Sequence, residues 1–184
     1  YDTRLKLRGD QSVSQEIVLI TLSPADLRTY DRYRSQIFGS LREIGDLTDS
    51  FYWQPQMWAM LMKKILAEKP RKIGVTLFFS EALAPVDLPR EDLLILKDSR
   101  IVWAANSTLT ERTNYPLLTN GDKTNIGNND LLKDEDGVIR RFVPAESEVQ
   151  HLVEKITGQT LEIQSSRFIN YRGSGGRFPK YSLK

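Results

Sequence analysis

Cysteine is absent from this chain. That excludes disulfide scaffolds, thiolate metal sites and thiol nucleophiles. It leaves the compartment open, because a chain without thiols suits an oxidising or a reducing one. Histidine is nearly absent: His151 is the only one. A histidine-based triad or a zinc centre would need partners that the sequence does not place, or carboxylates alone. Hydrolase and zinc readings are therefore weak. His151 itself lies beside the apolar stripe of its helix, on the side of Glu148 and Lys155, and reads as a solvated surface residue. Long apolar runs are also missing. The longest stretch without a charged residue runs from Ser50 to Met62, short of the roughly 18 apolar residues that a membrane-spanning helix needs. Neither charge sign dominates: 26 Lys and Arg face 24 Asp and Glu, for a net charge of +2. Arg4, Lys6 and Arg8 form the densest basic stretch but lack the interleaved aromatics of a nucleic-acid platform. No nucleic-acid partner is expected.

What is present is ordinary for a globular domain. The chain has 184 residues, 40% hydrophobic and 27% charged, enough for one sizeable core. Short β-branched runs alternate with amphipathic segments, the pattern of an α/β fold. Strands are predicted over residues 17–22 (IVLITL) and 72–79 (KIGVTLFF), both read as buried, and over 101–105 (IVWAA), 138–143 and 167–172. Ser23 and Pro24 read as a helix cap and first helical residue, ahead of a stripe through Leu27, Tyr30, Ile37, Leu41 and Ile44. Pro55 opens a clearer helix whose Trp58, Leu61, Met62 and Ile65 share one face, and Pro70 ends it. The order strand–helix–helix–strand predicts a parallel crossover with helices packed on a sheet. A short helix is predicted over 89–96. Residues 110–129 are rich in Asn, Thr and Gly and read as a long loop.

Asp136-Gly137 is a strong hairpin turn signal, because Gly accepts positive φ. Ser147 with Gln150 reads as a capping box for a helix with the stripe Val149, Leu152, Val153 and Ile156, stopped by Gly158. The prediction is one α/β domain over residues 1–184, a mixed β-sheet flanked by helices with a β-hairpin around Asp136-Gly137.

Three constellations invite a functional reading. Asp134, Asp136 and Gly137 echo a calcium loop, but that register puts Leu132 and Val143 at the end positions, where oxygen ligands are needed. Neither calcium nor a transition metal is expected, and no cofactor. Gly173, Gly175 and Gly176 beside Arg172 and Arg177 resemble an anion cradle, but the P-loop Lys-Ser/Thr pair is missing and a flexible exit turn is the simpler reading. Of the three tryptophans, Trp58 sits on a core face, Trp103 lies in a strand, and Trp53 is the freest to line a pocket.

Several segments together resemble the type-two CHASE domain, a bacterial extracytoplasmic sensor module. The opening matches at Tyr1, Asp2, Arg8 and Gly9, and a strand ends in Phe79-Ser80. The most specific block is Gly127, Asn128, then Asp134, Asp136, Gly137, Val138, Arg140 and Arg141. A closing block runs from Ile169 through Asn170, Tyr171, Arg172 and Gly173 to Phe178, Pro179 and Ser182. The resemblance implies a sensory domain without chemistry of its own, set in the periplasm as part of an inner-membrane receptor. Such a receptor regulates a cytoplasmic histidine kinase, nucleotide cyclase, diguanylate cyclase or Ser/Thr kinase. It implies a small-molecule or environmental signal, flanking membrane helices, and a possible homodimer. A chain that starts at Tyr1 without Met reads as a piece of such a longer protein, although Arg4, Lys6 and Arg8 near the membrane count mildly against an outside placement.

The chain departs from the family pattern at Ser23 and Pro24, at Gln56 and at Thr76, where acidic residues, Arg and Asp are usual. These positions lie near strand carboxyl ends, where α/β sheets bind ligands. A charged ligand or a metal is therefore not expected there. Candidate ligand contacts are Ser23, Trp53, Gln56, Thr76, Asn170 and Arg172. Asp136, Gly137, Arg140 and Arg141 take structural or signalling roles. Strand alternation sends Arg140 and Arg141 to opposite faces, so one of them needs a buried partner, with Asp134 or Asp136 nearest. The rival functions are a small-molecule enzyme of α/β class and a non-sensing spacer.

Overall fold

The computed structural model describes residues 12, 16–21, 55–77, 89–105, 124–131, 133–139, 141–142, 149–160, 167–168 and 179–182. The chain divides into two compact units, Tyr1–Phe51 with Asn170–Lys184, and Tyr52–Ile169.

The second unit is built on a parallel three-stranded sheet in the order β2-β3-β4, formed by β2 (Ile73–Val75), β3 (Ile101–Ala105) and β4 (Ile126–Asn128). Ile73 pairs with Ile101 and Val75 with Trp103; Trp103 pairs in turn with Ile126, and Ala105 with Asn128. All five β3 residues are buried. A continuous apolar run of this kind belongs to a central parallel strand covered on both faces.

Strand alternation assigns the two coats. On one face Trp103 meets Trp58 of α1 (Pro55–Ala67) edge to face, and α1 packs against α2 (Arg90–Leu96). On the other face Val102 and Ala104 pack with Leu152 and Ile156 of α3 (Leu152–Thr157). Helices on both faces of a parallel sheet are an α/β arrangement.

The helix α1 begins at Pro55, whose missing N–H is no loss in a first turn. It buries Trp58, Ala59 and Met62, with Leu61 and Ile65 half-buried, along the predicted face. It stops at Ala67; Lys69 then takes a left-handed φ of 53° ahead of Pro70. The helix α2 carries Glu91 and Asp92 in its first turn, where the helix dipole favours them. Its end is sealed by the Trp103 indole, whose Nε1 donates to the Leu96 carbonyl at 3.4 Å.

The turn from α2 into β3 is tightly tied. Asp98 accepts from the Arg100 backbone N–H and Nε at 2.9 Å each, and from its Nη2 at 2.6 Å. The Arg100 guanidinium holds the Asp98 carboxyl below its ordinary value, while partial burial works against it.

Antiparallel pairing occurs between β5 (Arg141–Phe142) and β6 (Arg167–Phe168). In the first unit, β1 (Leu19–Thr21) pairs in parallel with β7 (Lys180–Ser182).

Several expectations are corrected. The described parts of the strands predicted over 17–22 and 72–79, Leu19–Thr21 and Ile73–Val75, fall in different sheets, so the expected crossover is not seen among the described residues. The run 17–20 is exposed, with Ile17 and Val18 at 50%, and in the described part of 72–79 Val75 alone is buried. β-Branching favours a strand but supplies no layer over it, and β1 has β7 as its strand neighbour in a two-stranded sheet. Among the described residues, the parallel and antiparallel pairings sit in separate sheets rather than in one mixed sheet. Residues 126–128, read as loop, form β4. The helix stripe from Leu27 to Ile44 lies outside the described residues.

Candidate functional site

The polar groups buried in the second unit gather where β4 ends. Gly127 and Asn128 close β4, and the chain segment before α3 runs alongside them. The Asn128 N–H donates to the Gln150 carbonyl at 3.0 Å, and Asn128 and His151 form a parallel bridge. His151 therefore lies at the sheet margin and is 3% exposed, not a solvated surface residue. Of the expected stripe, Leu152 and Ile156 face the sheet; the helix starts after His151, which turns the imidazole into its cap.

His151 has extended backbone angles, φ −63° and ψ 144°. Its Nδ1 accepts from the Val153 N–H at 3.2 Å, and its own N–H donates to Glu154 Oε2 at 3.1 Å. The two bonds form a reciprocal capping box. The box at the start of α3 is formed by His151 and Glu154, and Ser147 of the expected box lies outside the described residues. Gly158 ends α3 as predicted, at φ 72°, donating to the Glu154 carbonyl. Val149 is buried ahead of the helix, whereas Val153 is 40% exposed.

Acceptance at Nδ1 requires a neutral ring, with its proton on Nε2. Burial pushes the His151 pKa below its ordinary value; the Asp130 backbone and the charges of Glu154 and Asp130 pull the other way. Asn128 is 1% exposed. Its Oδ1 accepts from the Asp130 N–H at 2.9 Å, while its Nδ2 is buried with no partner among the described residues.

Two glycines let α3 lie directly on the sheet. A Cβ at Gly127 would stand 2.6 Å from the Leu152 Cα, and one at Gly74 would run into Ile156 Cδ1. At its other end, α3 is held by Lys155, whose Nζ donates to the Thr124 carbonyl at 2.9 Å, just ahead of β4.

This arrangement can hold or lose a proton, but it does not resemble a nucleophile with its base. The imidazole lone pair is occupied by a backbone N–H. Among the described residues no group of three or more His, Cys, Asp or Glu side chains is placed to hold a metal ion.

The sequence candidates fall elsewhere. Thr76 is exposed just after β2. Gln56 is in the first turn of α1. Asp136 Oδ1 accepts from the Val138 N–H at 3.1 Å, and Gly137 has φ 78° and donates to the Asp134 carbonyl. These two residues make a tight turn between β4 and β5, away from Thr76 in the chain. The described residues beside that turn are not assigned to strands, so a hairpin is not established. The Arg141 backbone pairs with Phe168. Ser23, Trp53, Arg140, Asn170 and Arg172 lie outside the described residues. Sequence reasoning missed His151 and Asn128. The spacing His-x-x-Glu ahead of an apolar helix was the available signal.

In a comparison with known families, the family model described as the CHASE2 domain matches residues 1–184, the whole chain. No curated protein and no solved structure matches it.

Proposed function

This chain belongs to the CHASE2 domain family, a family of extracellular sensory domains of bacterial receptors, and on that premise we propose that it is the sensing part of a membrane-anchored receptor. It works from the periplasmic side of the inner membrane and biases a cytoplasmic output enzyme, a histidine kinase, a nucleotide or diguanylate cyclase, or a Ser/Thr kinase. It performs no chemistry of its own. The whole chain acts as one sensory module, homodimeric in the receptor, with membrane helices beyond both ends. The single observation that carries the reading is the family match over all 184 residues. The helices of the described residues do not supply an anchor: none is long and apolar enough to cross a membrane.

A receptor domain of this kind acts by differing in stability between two arrangements. Support for that comes from α3, a short helix set directly on sheet backbone and capped by a side chain that can change charge. Small-molecule contact is assigned to Ser23, Trp53, Gln56, Thr76, Asn170 and Arg172, of which Thr76 is exposed beyond the carboxyl end of β2.

Two experiments test this. The chain has no cysteine, so Ser99→Cys, at an exposed turn, places a single thiol in it. A membrane-impermeant maleimide should label intact cells carrying the variant receptor; labelling only after lysis refutes the placement. Replacing residues 1–184 by an unrelated soluble domain should abolish regulation of the output enzyme; regulation that survives refutes the sensory role.

A further inference from the structure

His151 is the only histidine in the chain, and so the only side chain whose ordinary titration falls between about pH 5 and 8. It is buried at the junction of β4 and α3, with one ring nitrogen accepting from a backbone amide. Capping by Ser, Thr, Asn or Asp does not depend on pH in that range, or does so only for the carboxylate at lower pH. Capping by imidazole does. An imidazolium has two N–H donors and no acceptor.

We propose that His151 is a proton-operated latch: uptake of one proton at Nδ1 removes the acceptor from the Val153 N–H and releases the first turn of α3 from the end of β4. The balance is simple. The Nδ1 lone pair forms a bond to a proton from solvent, the ring gains one positive charge, and the Val153 N–H···Nδ1 hydrogen bond is lost.

The groups around the ring set the direction. Glu154 on α3 and Asp130 after β4 carry carboxylates that favour the charged ring. Lys155 sends its ammonium to Thr124. The sheet positions beneath α3, namely Gly74, Val102, Ala104 and Gly127, carry no titratable group. Burial outweighs the carboxylates, so the folded ring holds its proton more weakly than a solvated one. The stabilisation from the neutral cap is therefore complete above the ordinary histidine value and is lost as pH falls through the folded one.

The consequence is mechanical. Leu152 rests against the Gly127 backbone with no side chain between them, so loss of the cap acts directly on the helix–sheet contact. The latch rests on the sensory reading only in naming the proton as a stimulus.

The test uses the 184-residue chain and nuclear magnetic resonance between about pH 7.5 and about pH 5. The single imidazole should show the Nε2-protonated tautomer at the upper limit and titrate below the ordinary histidine midpoint. The amides of Leu152, Val153 and Glu154 should shift with the same midpoint. In His151→Asn, which keeps a cap without titrating, they should stay fixed over this range. In Glu154→Gln, with one carboxylate fewer, the ring midpoint should move to lower pH. A ring midpoint at or above the ordinary value overturns the latch, as do α3 amides that follow pH equally in His151→Asn. In the receptor, a response to external acid that disappears in His151→Asn supports the proton as the stimulus; one that persists overturns it. Failure of the latch is read from the chain alone and failure of the sensory reading from receptor output, so the two are distinguishable.

Discussion

The indole rings of Trp58 and Trp103 meet edge to face, with centroids 5.6 Å apart and planes at 81°. Both are almost fully buried, and the contact fastens α1 to the middle strand of the sheet. Their ring area and the ring-edge attraction make this pair an apolar joint on that face.

Trp58→Ala should therefore lower unfolding free energy by about 3–5 kcal/mol, the usual cost of truncating a buried aromatic. Trp103→Phe keeps most of the volume but gives up the indole N–H bond to the Leu96 carbonyl, and should cost less, on the order of 1–2 kcal/mol. Urea unfolding followed by circular dichroism checks both. Equal losses would mean that the ring volume at Trp58 is not what holds α1.

Two glycines should respond differently to alanine. At Gly127 the new methyl would collide with the Leu152 backbone, so α3 would have to lift, at a cost we place above about 2 kcal/mol by comparison with overpacked cores. At Gly137 there is open space, and the cost is confined to a positive φ, about 1 kcal/mol. Thermal unfolding of the two variants gives the order; a larger loss at Gly137 would contradict the close contact of α3 with β4.

His151→Ala should cost about 1 kcal/mol at neutral pH, the typical value of a lost cap. On acidification towards about pH 5 the gap between His151→Ala and the native chain should narrow, because the native chain loses the same bond. Chemical unfolding at a series of pH values reads this directly; a gap that widens with acid would reverse the sign.

Asp98 titrates lower than usual, held chiefly by hydrogen bonding from the Arg100 side chain. Its contribution is present above the ordinary carboxylate value and is lost as pH falls through the lowered one. Asp98→Asn should remove that acid sensitivity. Because the pair is partly exposed, the cost at neutral pH should be only about 0.5–1 kcal/mol. Comparing the two unfolding curves between neutral and strongly acidic pH tests the assignment.

Much of the second unit was legible in the sequence because its signals are local. Pro55 and the spacing of Trp58 and Met62 announce α1, and IVWAA announces a strand, which the fold buries on both faces. Gly158 announces the end of α3. What escaped depends on partners distant in sequence. Ile126-Gly127-Asn128 has little β propensity and becomes β4 because β3 offers an open edge and Gly127 admits α3. His151 escaped because an imidazole is an unusual cap, and its burial comes from β4 rather than from its own helix. At residues 17–20, composition pointed to burial and the fold placed the strand in a two-stranded sheet.

The two ends of α3 are secured by unlike chemistry. The amino end depends on an imidazole lone pair, whereas the carboxyl end depends on the Lys155 ammonium at Thr124 and on Ile156 seated over Gly74. An ammonium keeps its charge throughout the range in which an imidazole changes. Acid therefore loosens one end and spares the other. The helix would swing like a door on its carboxyl hinge, with the widest arc beside Asn128, whose Nδ2 is the buried donor that the opening would bring to water.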